Sequence, residues 1–276
     1  SIYHLNLLPE DLATTVIVVG DQNRVSRVSR HFDEIEIQKS RREFITHTGW
    51  LKGKRISVVS TGIGTDNIDI VLNELDALVN IDFTTKSIKK NLTQLDIIRI
   101  GTSGAVQADI PIDSMVLSDY AIGFDNVLHF YQSNNLGMQD IEQAFIDHTG
   151  WPSRRSRPYV IPADTDLADS LSSPQVLRGF TGTNTGFYGP QGRQLRLALE
   201  DPEHNNKLTS FVYNELKITN LEMESSAIYG LAKLLGHRAA SMNCILANRV
   251  TGEFSQNPAA AVDQLIAYTL DKLISP

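Results

Sequence analysis

Leu95-Asp96-Ile97-Ile98-Arg99-Ile100-Gly101-Thr102-Ser103-Gly104 (LDIIRIGTSG) is the stretch on which the fold of this chain turns. Its first six residues form a short isoleucine-rich run without clean polar alternation, the pattern of a strand covered on both faces. A glycine-rich segment follows, which predicts a turn. The same form recurs three times. Thr15–Val19 (TVIVV) runs into Gly20-Asp21-Gln22-Asn23-Arg24. Arg55–Ser60 (RISVVS) runs into Thr61-Gly62-Ile63-Gly64, and Ala240–Ala247 (ASMNCILA) runs into Asn248-Arg249. Ser114–Leu117 (SMVL) is a fifth apolar run. Helical patterns lie over 66–79, 139–148, 224–235 and 258–274. The third is the clearest: Ala227, Ile228, Leu231, Leu234 and Leu235 form one stripe, and Gly236 stands where a C-cap glycine belongs. Strands alternating with helices predict one α/β domain over residues 1–276, with a mostly parallel or mixed sheet and no linker.

Composition narrows the function classes. With 41% hydrophobic and 21% charged residues, the chain has a globular and not a disordered balance. A net charge of −7 disfavours binding to long nucleic acid but allows a small, locally basic pocket. The single cysteine, Cys244, excludes an intramolecular disulfide and fits a reducing cytoplasm. The first residues lack a signal-peptide pattern, and no apolar run approaches the ~18 residues of a membrane span. The expectation is a soluble cytoplasmic protein. The seven histidines show no HxH or HxxxH spacing, so no metal site is expected.

Open α/β sheets bind ligands beyond the carboxyl ends of their strands. If the runs above are parallel, Arg24, Thr61, Arg99, Thr102 and Arg249 gather at one edge. Arg99 is the sharpest of these, because an arginine inside an apolar strand needs an anion. That anion is either a structural carboxylate or a bound oxyanion, which a guanidinium and nearby glycine N–H groups would hold together. Glu222-Met223-Glu224 precedes the clearest helix. One acid would cap it, and the pair could also accept hydrogen bonds from a diol. Other motifs are weaker. Thr61-Gly62-Ile63-Gly64 lacks the third glycine of a dinucleotide fingerprint. Pro152–Pro158 (PSRRSRP) reads as a solvated surface loop, and 132–182 is the least legible region.

Taken together, these segments resemble the nucleoside phosphorylase superfamily, most closely its uridine phosphorylase branch. Gly20–Val25 is similar to its GDPxRV turn, with Gln22 in place of proline, and Arg41–Phe44 resembles its REF segment. Ser60–Gly64 and Arg99–Ala105 match its STGIG and RIGTxGA motifs. Phe187–Arg193 resembles its FYxGQxR loop with glycine and proline exchanged, and Asn220–Ser225 and Asn248-Arg249 match its NxEMES and NR segments.

The resemblance implies a three-layer α/β/α fold with a central mixed sheet, and phosphorolysis of a pyrimidine nucleoside, most closely uridine, in salvage and catabolism. It also implies site roles. Gly20, Arg24, Arg99 and Thr102 would hold phosphate, with Arg42 reaching in from a neighbouring subunit. His4 would cross the same interface to the ribose 5′-hydroxyl. Glu224 and Met223 would hold the ribose, with Thr61 and Glu222 nearby. Gln191 and Arg193 would read the pyrimidine edge and Phe187 would pack on the base. Leu246 and Ala247 would line the base pocket, and Arg249 would support Arg193 or its loop. No organic cofactor is implied, since phosphate is a substrate. A monovalent interface cation, which some relatives hold through the Glu43 position and a serine past STGIG, is left open because Asp66-Asn67 stands there. The expected assembly is a homo-oligomer, a hexamer built as a trimer of dimers or else a dimer, with no nucleic acid or membrane partner.

Three other readings compete. A purine phosphorylase of this superfamily would carry a serine-aspartate pair at Asn248-Arg249. A hydrolase would not need Arg24, Arg42 and Arg99 together. A non-catalytic nucleoside sensor would need an added signalling segment.

Overall fold

The structure is a computed structural model that describes residues 1–133 and 136–275. In chain order its elements are β1 (Thr15–Val19), α1 (Gln22–Ser29), β2 (Glu34–Arg41), β3 (Phe44–Leu51), β4 (Lys54–Ser60), α2 (Thr65–Asn80), β5 (Ile81–Asp82), β6 (Ser87–Ile88), β7 (Asp96–Ala105) and β8 (Met115–Gly123). There follow α3 (Gln139–Thr149), β9 (Tyr159–Pro162), α4 (Thr165–Leu171), β10 (Val176–Thr183), α5 (His204–Ser210), β11 (Val212–Tyr213), β12 (Leu216–Glu222), α6 (Ser225–Leu235), β13 (Arg238–Asn248) and α7 (Pro258–Ile274).

The main sheet runs β11-β12-β10-β8-β13-β7-β1-β4-β3-β2, with β9 on β8. Strands β4, β1, β7 and β13 are mutually parallel, and β8 runs antiparallel to β13. The sheet is therefore mixed. Strand β12 also pairs with the end of β7, through Asn220↔Ala105, so β7, β13, β8, β10 and β12 form a closed ring of pairings. Along β1, Val16 and Val18 pack on α2 and α6, while Ile17 and Val19 pack on α1, α4 and α7. This alternation makes the three layers, and both faces are apolar because both are covered.

Two sequence expectations need correction. Residues Gly101–Gly104 do not turn. They extend β7, which pairs with β13 from Asp96 to Ala105, so their backbone groups are satisfied in the sheet. Gly101 serves a different purpose: a Cβ there would lie 2.0 Å from Arg99 Nη1, so only glycine lets the guanidinium fold over the strand. Likewise the run at 114–117 leads into a longer strand, β8, which spans Met115–Gly123.

Strands β2, β3, β10 and β12 and helix α1 lie outside the sequence expectations. Strand β2 (EIEIQKSR) is a largely exposed edge strand, and charged edges carry little hydrophobic signal. In β10 (VLRGFTGT), Gly179 lets Thr219 and Val116 approach, each 2.6 Å from where its Cβ would stand. The segment Pro152–Pro158 is an irregular, partly exposed loop, as its charge suggests.

Candidate active site

The parallel strand ends bring the predicted cluster together. Strand β1 ends at Val19, and at the next residue, Gly20, an added Cβ would lie 3.5 Å from the Gly62 carbonyl, so two turns abut. Asp21 caps α1 by accepting from Asn23 N–H. Arg24 follows in the first turn, buried, with Nη1 donating to the Ile100 carbonyl at 3.1 Å. Its Nε is buried and, among the described residues, has no partner. Burial, and after it the Arg99 charge, pull its proton affinity below the ordinary arginine value.

Arg99 projects from β7 into this space. Its Nη1 donates to Asn243 Oδ1 at 2.7 Å, and its Nη2 donates to Glu224 Oε2 at 2.7 Å and lies 3.1 Å from Glu222 Oε2. Burial alone would lower its proton affinity, but Glu222 and Glu224 outweigh that and hold it fully charged. Arg99 is thus held in an ion pair with Glu224, and among the described residues the donors of the second buried arginine, Arg24, are not all used.

The two glutamates divide their work. Glu222 accepts from Glu224 N–H, Ser225 N–H, Ser225 Oγ and Thr183 Oγ1, so its carboxylate caps α6 and ties the turn to β10. It stands behind the site, with both oxygens engaged. Among the described residues, Glu224 accepts from Arg99 and from Gly64 N–H at 3.0 Å alone, leaving lone pairs for other donors. Burial pushes its carboxyl above the usual range, with Arg99 opposing. Met223 and Thr102 beside it are half-buried. Thr61 is buried, its N–H bonded to the Val19 carbonyl and its hydroxyl to the Gly62 carbonyl.

Phe187 to Arg193 form a separate loop. Phe187 is 50% exposed, whereas Gln191 is only 3% exposed. Gln191 Nε2 donates to the Gly186 carbonyl, and its Oε1 accepts from Arg193 Nη1 at 2.8 Å. Arg193 also donates to the Phe187 carbonyl and lies over that ring at 3.9 Å. Arg249, just past β13, bonds the Gln191 carbonyl and so supports the loop. Its Nη1 is buried and without a partner among the described residues, and burial, then Arg193, bring its pKa down to about 10. Leu246 and Ala247 are half-buried at the strand end.

His4 and Arg42 stand apart from this cluster. His4 Nδ1 bonds Glu74 Oε1 at 2.6 Å, on α2. Arg42 is exposed at the two-residue tip of the β2–β3 hairpin, in the left-handed region with φ 54°, a conformation that disfavours a side chain. Gln22 Nε2 holds its carbonyl at 2.9 Å, which docks the hairpin tip against the β1–α1 turn.

The sequence pattern of the Phosphorylase superfamily matches residues 14–275. The chain belongs to this superfamily. A uridine phosphorylase of Thermococcus kodakarensis is 31% identical over 261 residues, covering 92% of this chain and 80% of its own. A DeoD-type purine nucleoside phosphorylase of Oceanobacillus iheyensis is 25% identical over 280 residues, covering 98% of each. A Trypanosoma brucei nucleoside phosphorylase, whose structure is described as showing uridine phosphorylase activity, superposes with a TM-score of 0.89 at 29% identity, covering 100% of this chain and 98% of that one. This superfamily member is an enzyme of the pentosyltransferase class.

Several residues that shape this cluster lie outside the sequence expectations: Asn243, which orients Arg99; the Gly64 N–H, which orients Glu224; Thr183, which anchors Glu222; and Gln22, which bonds the Arg42 carbonyl. Asn243 carried a usable signal, a polar residue inside an apolar strand. Thr183 carried none, since its partner is far away in sequence.

Proposed function

We propose that this enzyme cleaves uridine with inorganic phosphate, giving uracil and ribose 1-phosphate, in nucleoside salvage and catabolism. One observation carries the phosphate assignment: Arg24 and Arg99 are both buried, Arg24 bonds the carbonyl of the residue next to Arg99, their charges repel, and among the described residues Arg24 Nε has no acceptor. A phosphate oxygen between them would supply the acceptor and relieve the repulsion. In this reading Gly20 and Thr102 border the phosphate, and Arg42 of a neighbouring subunit completes the site. The relatives that carry the name uridine phosphorylase support the base assignment.

In this reading a phosphate oxygen attacks C1′ as the C1′–N1 bond breaks, and the bonding pair leaves with uracil, which then takes a proton from solvent. Arg24 and Arg99 orient the nucleophile. Glu224 accepts from the ribose hydroxyls, with Met223 against the sugar and Thr61 nearby. Glu222 acts through Glu224 as a positioning residue. His4 of the neighbouring subunit would hold the 5′-hydroxyl in a homo-oligomer, as a hexamer or a dimer. Gln191 and Arg193 keep unused donors and lone pairs beyond their mutual bond, and these would stabilise charge growing on the pyrimidine. Phe187 covers the base, Leu246 and Ala247 line its pocket, and Arg249 braces the loop.

The purine reading has the DeoD-type relatives in its favour. Against it, Asn248 is locked: its amide donates to the Gln107 and Ile110 carbonyls and accepts from Val250 and Thr251 N–H. Arg249 then follows, so no acid is placed there to protonate a purine. A panel of uridine, cytidine and inosine, with the free base identified, tests the assignment. Uridine should be cleaved fastest, and faster cleavage of inosine would overturn it.

A further inference from the structure

The basic segment Pro152–Pro158 takes no part in the site above, yet its arginines do not simply face solvent. Arg154 and Arg155 form one wall of a cavity of about 880 Å³, and Arg193 and Arg196 line it too. Four guanidinium groups therefore converge in a chain whose net charge is −7. The acids set against them are few. Glu200 contacts both Arg154 and Arg155, and Asp201 is taken by Lys207 at 2.7 Å. Asp125, on the floor, is buried, and burial pushes its carboxyl above the usual range. Among the described residues, Arg196 makes no ion pair.

The inner wall has a different character. Phe124 and Trp151 stack at 5.2 Å, and His204 lies 5.9 Å from Trp151. Arg155 sits over the indole at 5.3 Å while one amino group faces Glu200 at 3.5 Å, so an oxyanion here would share the arginines with that single carboxylate. Burial, and then Arg155, hold His204 below its ordinary value, so it is neutral at neutral pH and can pair with a polar ring edge. Asn184 adds a buried amide. An oxyanion at the mouth and a flat, hydrogen-bonding ring within would satisfy both walls, and the volume suits one small ligand.

We propose that this cavity is a second ligand site for a nucleoside 5′-monophosphate, separate from the substrate site and coupled to it through Arg193. Arg193 is shared: its Nη1 donates to the Phe187 carbonyl and to Gln191 Oε1 in the base loop. A phosphate in the cavity competes for this guanidinium, so occupancy raises KM for the nucleoside and leaves KM for phosphate unchanged. The kinetic effect rests on the base-reading role proposed above, but binding itself does not.

The test is a titration with uridine 5′-monophosphate. The chain has only two tryptophans, so in Trp50→Phe protein the emission comes from Trp151. The expected result is a saturable change that persists in Arg99→Ala, where the phosphate half of the substrate site is disabled, and in Gln191→Ala, where the base half is. Inorganic phosphate should bind at least ~10-fold more weakly, and Arg154→Ala/Arg155→Ala or Arg196→Ala should raise Kd by about 10-fold or more while sparing uridine turnover without nucleotide. Calorimetry repeats the titration where the change at Arg155 alters the indole baseline. The proposal is overturned if no saturable binding occurs, if binding disappears in Arg99→Ala or in Gln191→Ala, if phosphate alone binds as tightly, or if the arginine variants bind unchanged. Because binding is read without turnover, a failure of the uridine assignment leaves it standing.

Discussion

The two halves of the site are built on different principles. The half assigned to phosphate and ribose sits on the end of β1, the interior of β7 and the β12–α6 junction, and its charges answer one another: Arg99 to Glu224, Glu222 to the α6 N-terminus. The half assigned to the base sits on the irregular loop Phe187–Arg193, with Phe187 half in solvent and Arg249 Nη1 unpartnered. Groups on paired strands are fixed before a ligand arrives, which suits the chemistry of the sugar–base bond. Groups on a loop can adjust, which suits the choice of base. Bond cleavage and base choice should therefore be separable by mutation.

The largest effect belongs to the base half. Cytosine places an amino group where uracil has a carbonyl, so it would face a donor, and buried polar groups reject such a partner by up to ~10⁴-fold. Cytidine should be cleaved very poorly relative to uridine by kcat/KM, and Gln191→Ala should narrow the gap. Equal loss on both nucleosides would join the two halves that the comparison separates.

Next comes Arg99→Ala, expected to lower kcat/KM by roughly 10²-fold or more for every accepted nucleoside. Arg99→Lys should recover little, because an ammonium cannot bond Asn243 and Glu224 in the same plane. A folded Ala variant with near-normal turnover would reduce Arg99 to its structural ion pair.

Subunit mixing gives a smaller, positive signal. His4 and Arg42 stand outside the cluster in their own chain, and a two-fold interface would place them in a neighbour's site. Hybrids of Arg42→Ala with Arg99→Ala subunits should regain a fraction of wild-type activity. Verified exchange without recovery would mean that one chain builds each site.

The smallest effect is in pH. Burial raises the Glu224 carboxyl, so the folded protein binds that proton more tightly than an ordinary glutamic acid does. Its carboxylate is the acceptor, so nucleoside kcat/KM should fall on the acid side, with the limb at higher pH than the ordinary 4.5. Glu224→Gln should flatten it, and an acid limb unchanged in Glu224→Gln would assign it elsewhere.

The strand-built half was the more legible in sequence, for a physical reason. Apolar runs at β1, β4, β7 and β13 mark strands covered on both faces, and Arg99 stands out against them. Where the reading failed, glycine misled it: Gly101 signals a turn by type but serves to seat the Arg99 side chain. The division between Glu222 and Glu224 was not legible, because Thr183 and Gly64, which decide it, reach the pair only through the sheet. The buried pairing of Gln191 with Arg193 was hidden for the same reason, since loop closure leaves no periodic trace.

The central claim is that the paired arginines hold the nucleophile. Its most direct test is the rate of uracil release from uridine in phosphate-free buffer against the rate with phosphate added, with the sugar product identified. Release should require phosphate and yield ribose 1-phosphate in a one-to-one ratio with uracil. Equal rates without phosphate, with free ribose as the product, would make the enzyme a hydrolase and contradict the account.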